Sequence, residues 1–152
     1  RTVEEGRKVI ELMNASGLKQ GEHGLEVFVM AEIPANVLLA EEFAALFDGF
    51  SIGSNDLTQL TLGIDRDSAL VADLFDEQNA AVQLLIVQMI KQGKMCGRKV
   101  GICGQAPSDS ASFARLLVNH GIDSISFNAD ALINGIANID EVLTQHPLSS
   151  TS

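Results

Sequence analysis

Four places in the chain carry side chains fit for chemistry: Glu32, the run Gly53-Ser54-Asn55-Asp56, Cys103 and Asn128. Glu32 and Asp56 are hard oxygen donors. Two carboxylates completed by water and substrate oxygens suit Mg2+, although either acid alone could equally be solvated, and Asp56 could cap a helix. The run Gly53-Ser54-Asn55-Asp56 can turn backbone N–H groups and a helix N-terminus toward an anion. The same residues also make an ordinary turn into a helix. Cys103 stands in Val100-Gly101-Ile102-Cys103-Gly104-Gln105, where glycines on both sides leave the backbone open to close approach. A thiol with an ordinary pKa of about 8.5 can take or give a proton near neutrality. It could equally be a small buried hydrophobe, and Cys96, at a helix end, reads that way. Arg66 could meet a phosphate or pair locally with its neighbours Asp65 and Asp67. His23, His120 and His146 have no partner at metal or triad spacing.

These residues matter only if the fold gathers them. Short apolar runs at 27–30, 50–52, 99–102 and 124–127 read as buried parallel strands, bounded by turn formers. Between them lie segments with helical periodicity: Val3–Ala15, with Val9, Leu12 and Met13 on one face; 36–47; 57–62, capped by Asp56 and stopped by Gly63; 69–96, with a break near Asp76; 110–120, entered through Pro107-Ser108-Asp109; and 131–145. Each strand then runs into one of the polar residues named first. In α/β folds with parallel strands, sites form at the carboxyl ends of the strands.

A helix followed by four strand–helix units implies a parallel sheet with helical crossovers. A whole (β/α)8 barrel takes about 250 residues, and this chain has 152. The expectation is therefore the C-terminal half of a TIM barrel, with residues 1–148 as its domain and 149–152 as a disordered tail. The absence of an initiator Met suggests a piece of a longer chain, and the opening Arg1-Thr2-Val3-Glu4-Glu5 does not read as a signal peptide.

Composition narrows the partners. The chain is 46% hydrophobic and 20% charged, which excludes a disordered chain. With 20 acidic against 10 basic residues, the formal charge is -10, so nucleic acid and membrane surfaces are poor partners. No apolar run approaches the roughly 20 residues of a membrane span. Two cysteines in different contexts fit a reduced, cytoplasmic protein. No dinucleotide fingerprint, Walker A loop or nucleophile elbow is present.

Larger stretches resemble a known family. Met30-Ala31-Glu32-Ile33-Pro34, Gly49 through Gln59, Asp65-Arg66 and Val100 through Gln105 are similar to the PEP-utilising enzymes, and the similarity runs from the first helix to about Leu143. Gln105, Ser54, Gly49-Phe50-Ser51 and Phe75-Asp76-Glu77 resemble the branch that makes PEP from pyruvate and ATP, giving AMP and phosphate. The dikinase branch and enzyme I of the sugar phosphotransferase system, which usually carry Glu and Thr where this chain has Gln105 and Ser54, are the alternatives. A catalytically inert dimerisation module is another.

The resemblance implies that Glu32 and Asp56 hold Mg2+, and that Glu32, Gly53, Ser54, Asn55 and Asp56 bind pyruvate or PEP. It further implies that Cys103 exchanges a proton with C3 of the pyruvate enolate, and, more weakly, that Arg66 meets phosphate. It implies phosphohistidine and nucleotide domains elsewhere in the same parent chain, since none of the three histidines lies in the phosphohistidine motif. These 152 residues alone are therefore expected not to turn over. A homodimer is expected too, because half a barrel leaves open sheet edges and apolar surface.

Overall fold

A computed structural model describes residues 1–145. The expected tail at 149–152 and the domain boundary at 148 lie outside the described residues. Four strands, β1 (Phe28–Ala31), β2 (Gly49–Gly53), β3 (Lys99–Cys103) and β4 (Ser124–Ile125), form one sheet in the order β1-β2-β3-β4. Every neighbouring pair is parallel. Strand order follows chain order without reversal, so the sheet has no switch point of the doubly wound kind. It advances one strand at a time, as half of a (β/α)8 barrel does.

The helices are α1 (Val3–Ala15), α2 (Pro34–Leu38), α3 (Ala40–Ala44), α4 (Ser54–Leu62), α5 (Ala80–Met95), α6 (Ala106–Asp109), α7 (Ala111–Asn119) and α8 (Leu132–Gln145). Ala31, Phe50, Ile52, Val100 and Ile102 point from the sheet into the core and meet Val82, Ile86, Met89 and Ile90 of α5 and Val37, Ala40 and Phe43 of α2 and α3. Alternation along the strands sends Phe28, Met30, Ser51, Gly53 and Cys103 to the other face. There Phe28 and Met30 are about two-fifths exposed, at 39% and 41%. The strands are thus buried on their helix side and open on the side that faces inward in a closed barrel.

Phe50 is fully buried on this central strand pair. Phe50→Ala is expected to destabilise the fold by about 3–5 kcal/mol through lost burial and the cavity left behind. A shift of the urea midpoint at unchanged m-value measures it.

Several expected boundaries moved for local reasons. Helix α4 starts at Ser54, with Gly53 as its cap residue, so Asp56 sits in the first turn and does not cap it. The expected helix at 36–47 begins at Pro34 and is split at Leu39, whose φ of -111° and ψ of 34° are not helical. The expected helix at 69–96 is one 3-10 turn, Ala72–Leu74, and then α5, capped by Asn79. Pro107-Ser108-Asp109 lies inside α6, and Ser110 caps α7 by accepting from the Phe113 N–H. On α1, Val9 and Leu12 are exposed while Val3 and Ile10 pack against the core. The reason is Gly6: an added Cβ there would stand 3.1 Å from the Phe47 ring, so the helix comes closest along its Gly6 face.

Candidate functional site

The register sets the site. Gly53 pairs with Cys103 across β2 and β3, and Ala31 pairs with Ile52 across β1 and β2. Glu32, one step beyond Ala31, therefore lies level with Gly53 and Cys103. Three adjacent strands end on one row, with strands about 4.8 Å apart. Gly53 keeps the row tight, since an added Cβ would stand 3.0 Å from Glu32 Cβ and 3.4 Å from Met30 Sδ.

Around this row is a shallow cavity of about 140 Å³ lined by Met30, Glu32, Gly53, Ser54, Asn55, Asp56, Cys103 and Gly104. Every residue expected to bind pyruvate or PEP, or to move the C3 proton, is on its wall. Asn128 is not: it follows β4 by three residues, and its backbone N–H donates to Ser108 Oγ at 2.9 Å. Arg66 makes no ion pair with Asp65 or Asp67 among the described residues. It lines a neighbouring cavity of about 420 Å³ with Asn55, Phe75 and Gln105, so Asn55 is shared by both cavities.

The thiol of Cys103 has a partner in either protonation state. As a thiolate it can accept from Ser51 Oγ at 3.6 Å, and as a thiol it can donate to the Ile52 carbonyl, also at 3.6 Å. Met30 Sδ lies 3.7 Å away and forms the soft side of the pocket. Glu32 is aimed by its own turn. Asn36, nearly fully buried, accepts from the backbone N–H groups of Glu32 at 3.3 Å and Ile33 at 3.2 Å. Among the described residues neither Glu32 nor Asp56 has an ion-pair partner. The first turn of α4 has no side-chain cap, which leaves its N–H groups without a capping partner.

A cavity with two carboxylates repels a small anion unless a cation stands between them. Among the described residues no cluster of three or more His, Cys, Asp or Glu could cage a metal. Two free carboxylates without a third protein donor suit a cation that keeps waters and takes substrate oxygens, which is the habit of Mg2+. The arrangement can thus hold a chelating, oxygen-rich small acid at a cation, with a thiol beside it.

The description "PEP-utilising enzyme, PEP-binding domain" matches residues 1–143. The chain belongs to the PEP-utilising enzyme family. Among members of that family, the phosphoenolpyruvate synthase of Aquifex aeolicus (strain VF5) is 61% identical over 142 residues, covering 93% of this chain and 17% of that protein. The phosphoenolpyruvate synthase of Escherichia coli (strain K12) is 54% identical over 133 residues, covering 88% and 17%. The chain thus spans about a sixth of the length of these relatives. Solved structures support the barrel architecture alone. An HpcH/Hpal aldolase/citrate lyase family protein from Burkholderia cenocepacia J2315 has a TM-score of 0.56 at 19% identity, covering 88% of this chain and 47% of that one. A citrate synthase variant has a TM-score of 0.52 at 16% identity, covering 91% and 59%. Among the described residues no helix is long and apolar enough to cross a membrane.

Sequence reasoning singled out the catalytic types and missed their supports. Asn36 and Met30 reach the site through one strand-to-helix turn and one register. Asn36 had a signal: an Asn two residues after Pro34 sits where it can catch the N–H groups at a helix start. Met30 had none, since which strand neighbour faces Cys103 depends on pairing.

Proposed function

We propose that this chain carries the pyruvate/PEP site of a phosphoenolpyruvate synthase, which makes PEP from pyruvate and ATP through a phosphohistidine and releases AMP and phosphate. The observation that carries this reading is the single cavity into which Glu32, Asn55, Asp56 and Cys103 converge from three adjacent strand ends. Glu32 and Asp56 would hold Mg2+, which when bound supplies positive charge to the enolate oxygen. Asn55 offers a neutral amide to a carboxylate or phosphate oxygen, and the uncapped N–H groups of α4 favour the same anion.

Cys103 does the proton work at C3. As a thiolate it takes a methyl proton from pyruvate: the C–H bond breaks, the S–H bond forms, and the electron pair enters the C2–C3 bond of the enolate. The enolate oxygen then attacks the phosphorus of the phosphohistidine supplied by another domain of the same protein: the O–P bond forms, the P–N bond breaks, and the histidine imidazole leaves. Cys103, now a thiol, can donate to the Ile52 carbonyl until it is deprotonated again. In reverse it returns the proton to C3.

The phosphohistidine and nucleotide domains, and a second copy of the protein, are the proposed partners, and the cytoplasm is the proposed location. Leu132, Ile133 and Ile136 of α8 are exposed and give an apolar surface suited to such a contact. The deciding experiment is phosphate accounting on the full-length protein with ATP, pyruvate and Mg2+. PEP, AMP and free phosphate in equal amounts are expected. A requirement for added phosphate, with pyrophosphate as product, would assign the site to the dikinase branch instead.

A further inference from the structure

Met30 has no proton to move and no charge to offer, yet it stands against the group that does the proton work. Its Sδ lies 3.7 Å from Cys103 Sγ. It also borders the Gly53 backbone. A Cβ built on Gly53 would stand 3.4 Å from Met30 Sδ and 3.3 Å from Glu32 Oε2, so the thioether and the carboxylate edge the same patch of bare backbone. Met30 and Glu32 are two residues apart and share one face of their strand. Glu32 is at the strand's carboxyl end, and Met30 lies one pleat below it.

The substrate's own chemistry then fixes which end goes where. A 2-oxo acid carries oxygens on C1 and C2 and none on C3. The oxygens belong with the cation between Glu32 and Asp56, and Cys103 must reach a proton on C3. C3 therefore lies beside the thiol. The polar atoms nearest that thiol, Ser51 Oγ and the Ile52 carbonyl, are its hydrogen-bond partners, each at 3.6 Å. The remaining neighbour is the Met30 sulfur. Of the residues lining this cavity of about 140 Å³, Met30 has the one large apolar side chain. A carbon added to C3 must point away from the thiol that takes the C3 proton, and the thioether takes up that space.

We propose that Met30 is a specificity-determining residue that limits the group on C3 of the 2-oxo acid to a methyl. The proposal rests on the reading of this cavity as the pyruvate/PEP site. Its test compares pyruvate with 2-oxobutyrate, one methylene longer, as acceptors in the full-length protein with ATP and Mg2+, following AMP release. One methylene in an apolar pocket is worth about 10–200-fold. The wild-type protein is expected to favour pyruvate in kcat/KM by at least about tenfold, the low end of that range. Met30→Ala removes three heavy atoms beside the thiol and is expected to lower that preference about tenfold, by the same measure. Met30→Leu nearly conserves volume and is expected to keep the preference within about threefold of wild type, less than one methylene is worth.

The preference is a ratio taken within one preparation, so a partly folded variant does not change it. Oxalate has no C3, and its Mg2+-dependent affinity is expected to stay within about threefold in Met30→Ala, well under 1.4 kcal/mol. A wild-type protein that takes both acids equally well, a Met30→Ala ratio within twofold of wild type, a Met30→Leu shift as large as that of Met30→Ala, or an oxalate affinity that falls along with the preference would each overturn the proposal. If Met30→Ala does not fold, Met30→Val, whose β-branch suits a strand, takes its place, and an unchanged ratio there overturns it too. Failure of the underlying site reading looks different: the wild-type protein itself would neither form PEP nor bind oxalate with Mg2+, and both proposals would fall.

Discussion

Cys103→Ala in the full-length protein is expected to lower PEP formation by about 10²–10⁴-fold, the usual worth of a positioned general acid or base. The thiol is half-exposed on the cavity wall, and its nearest polar partners are Ser51 Oγ and the Ile52 carbonyl, each at 3.6 Å. Neither partner can replace it. A serine hydroxyl holds its proton far more tightly than a thiol near neutrality, and a backbone carbonyl has none to give. Ligand binding should survive, because the thiol adds no fixed charge beside the two carboxylates. Mg2+-dependent oxalate affinity is therefore expected to stay within about threefold of wild type, well under the tenfold that 1.4 kcal/mol represents. Exchange of the pyruvate methyl protons with deuterated water, followed by NMR, isolates the step. Exchange persisting at the wild-type rate in Cys103→Ala would assign the proton transfer to another group.

How far such a site can be read from a chain depends on which distances the fold makes short. The strand ends were legible, because apolar runs such as 50–52 and 99–102 end at polar residues and parallel strands share a direction. The order β1-β2-β3-β4 is the one expected when consecutive strand–helix units lie side by side. Register was not legible. That Gly53 faces Cys103 directly, and that Met30 borders the thiol, is settled by pairing between segments about 50 and 70 residues apart. Helix starts were misread where two cap candidates compete: Asp56 is the better capping type, but Gly53 takes the turn because the strand runs up to it. Asn128 was expected at the rim because it follows a strand. Strand β4 ends early, at Ile125, and the chain turns toward Ser108 instead.

The carboxylates supply the other large effect. Asp56→Asn and Glu32→Gln are each expected to weaken Mg2+-dependent oxalate binding by about 100-fold or more, since loss of a direct ligand should exceed the 10–100-fold typical of a ligand's supporting partner. The physical reason is charge. An anion placed between two carboxylates is repelled until a cation intervenes, so the wild-type protein should bind oxalate only with Mg2+. Asp56 also lies in the first turn of α4, where a negative charge stabilises the helix by about 0.3–1 kcal/mol. That shifts the melting temperature by only a few degrees and cannot account for a hundredfold loss in binding at temperatures well below the transition. Calorimetric titration of oxalate into each variant, with and without Mg2+, separates the two effects. In Asp56→Asn the affinity with Mg2+ should fall to the metal-free level while the melting temperature stays close to wild type. An affinity within threefold of wild type in both variants would mean that neither carboxylate holds the cation, and the cavity would then be an anion site built on the N-terminus of α4 alone.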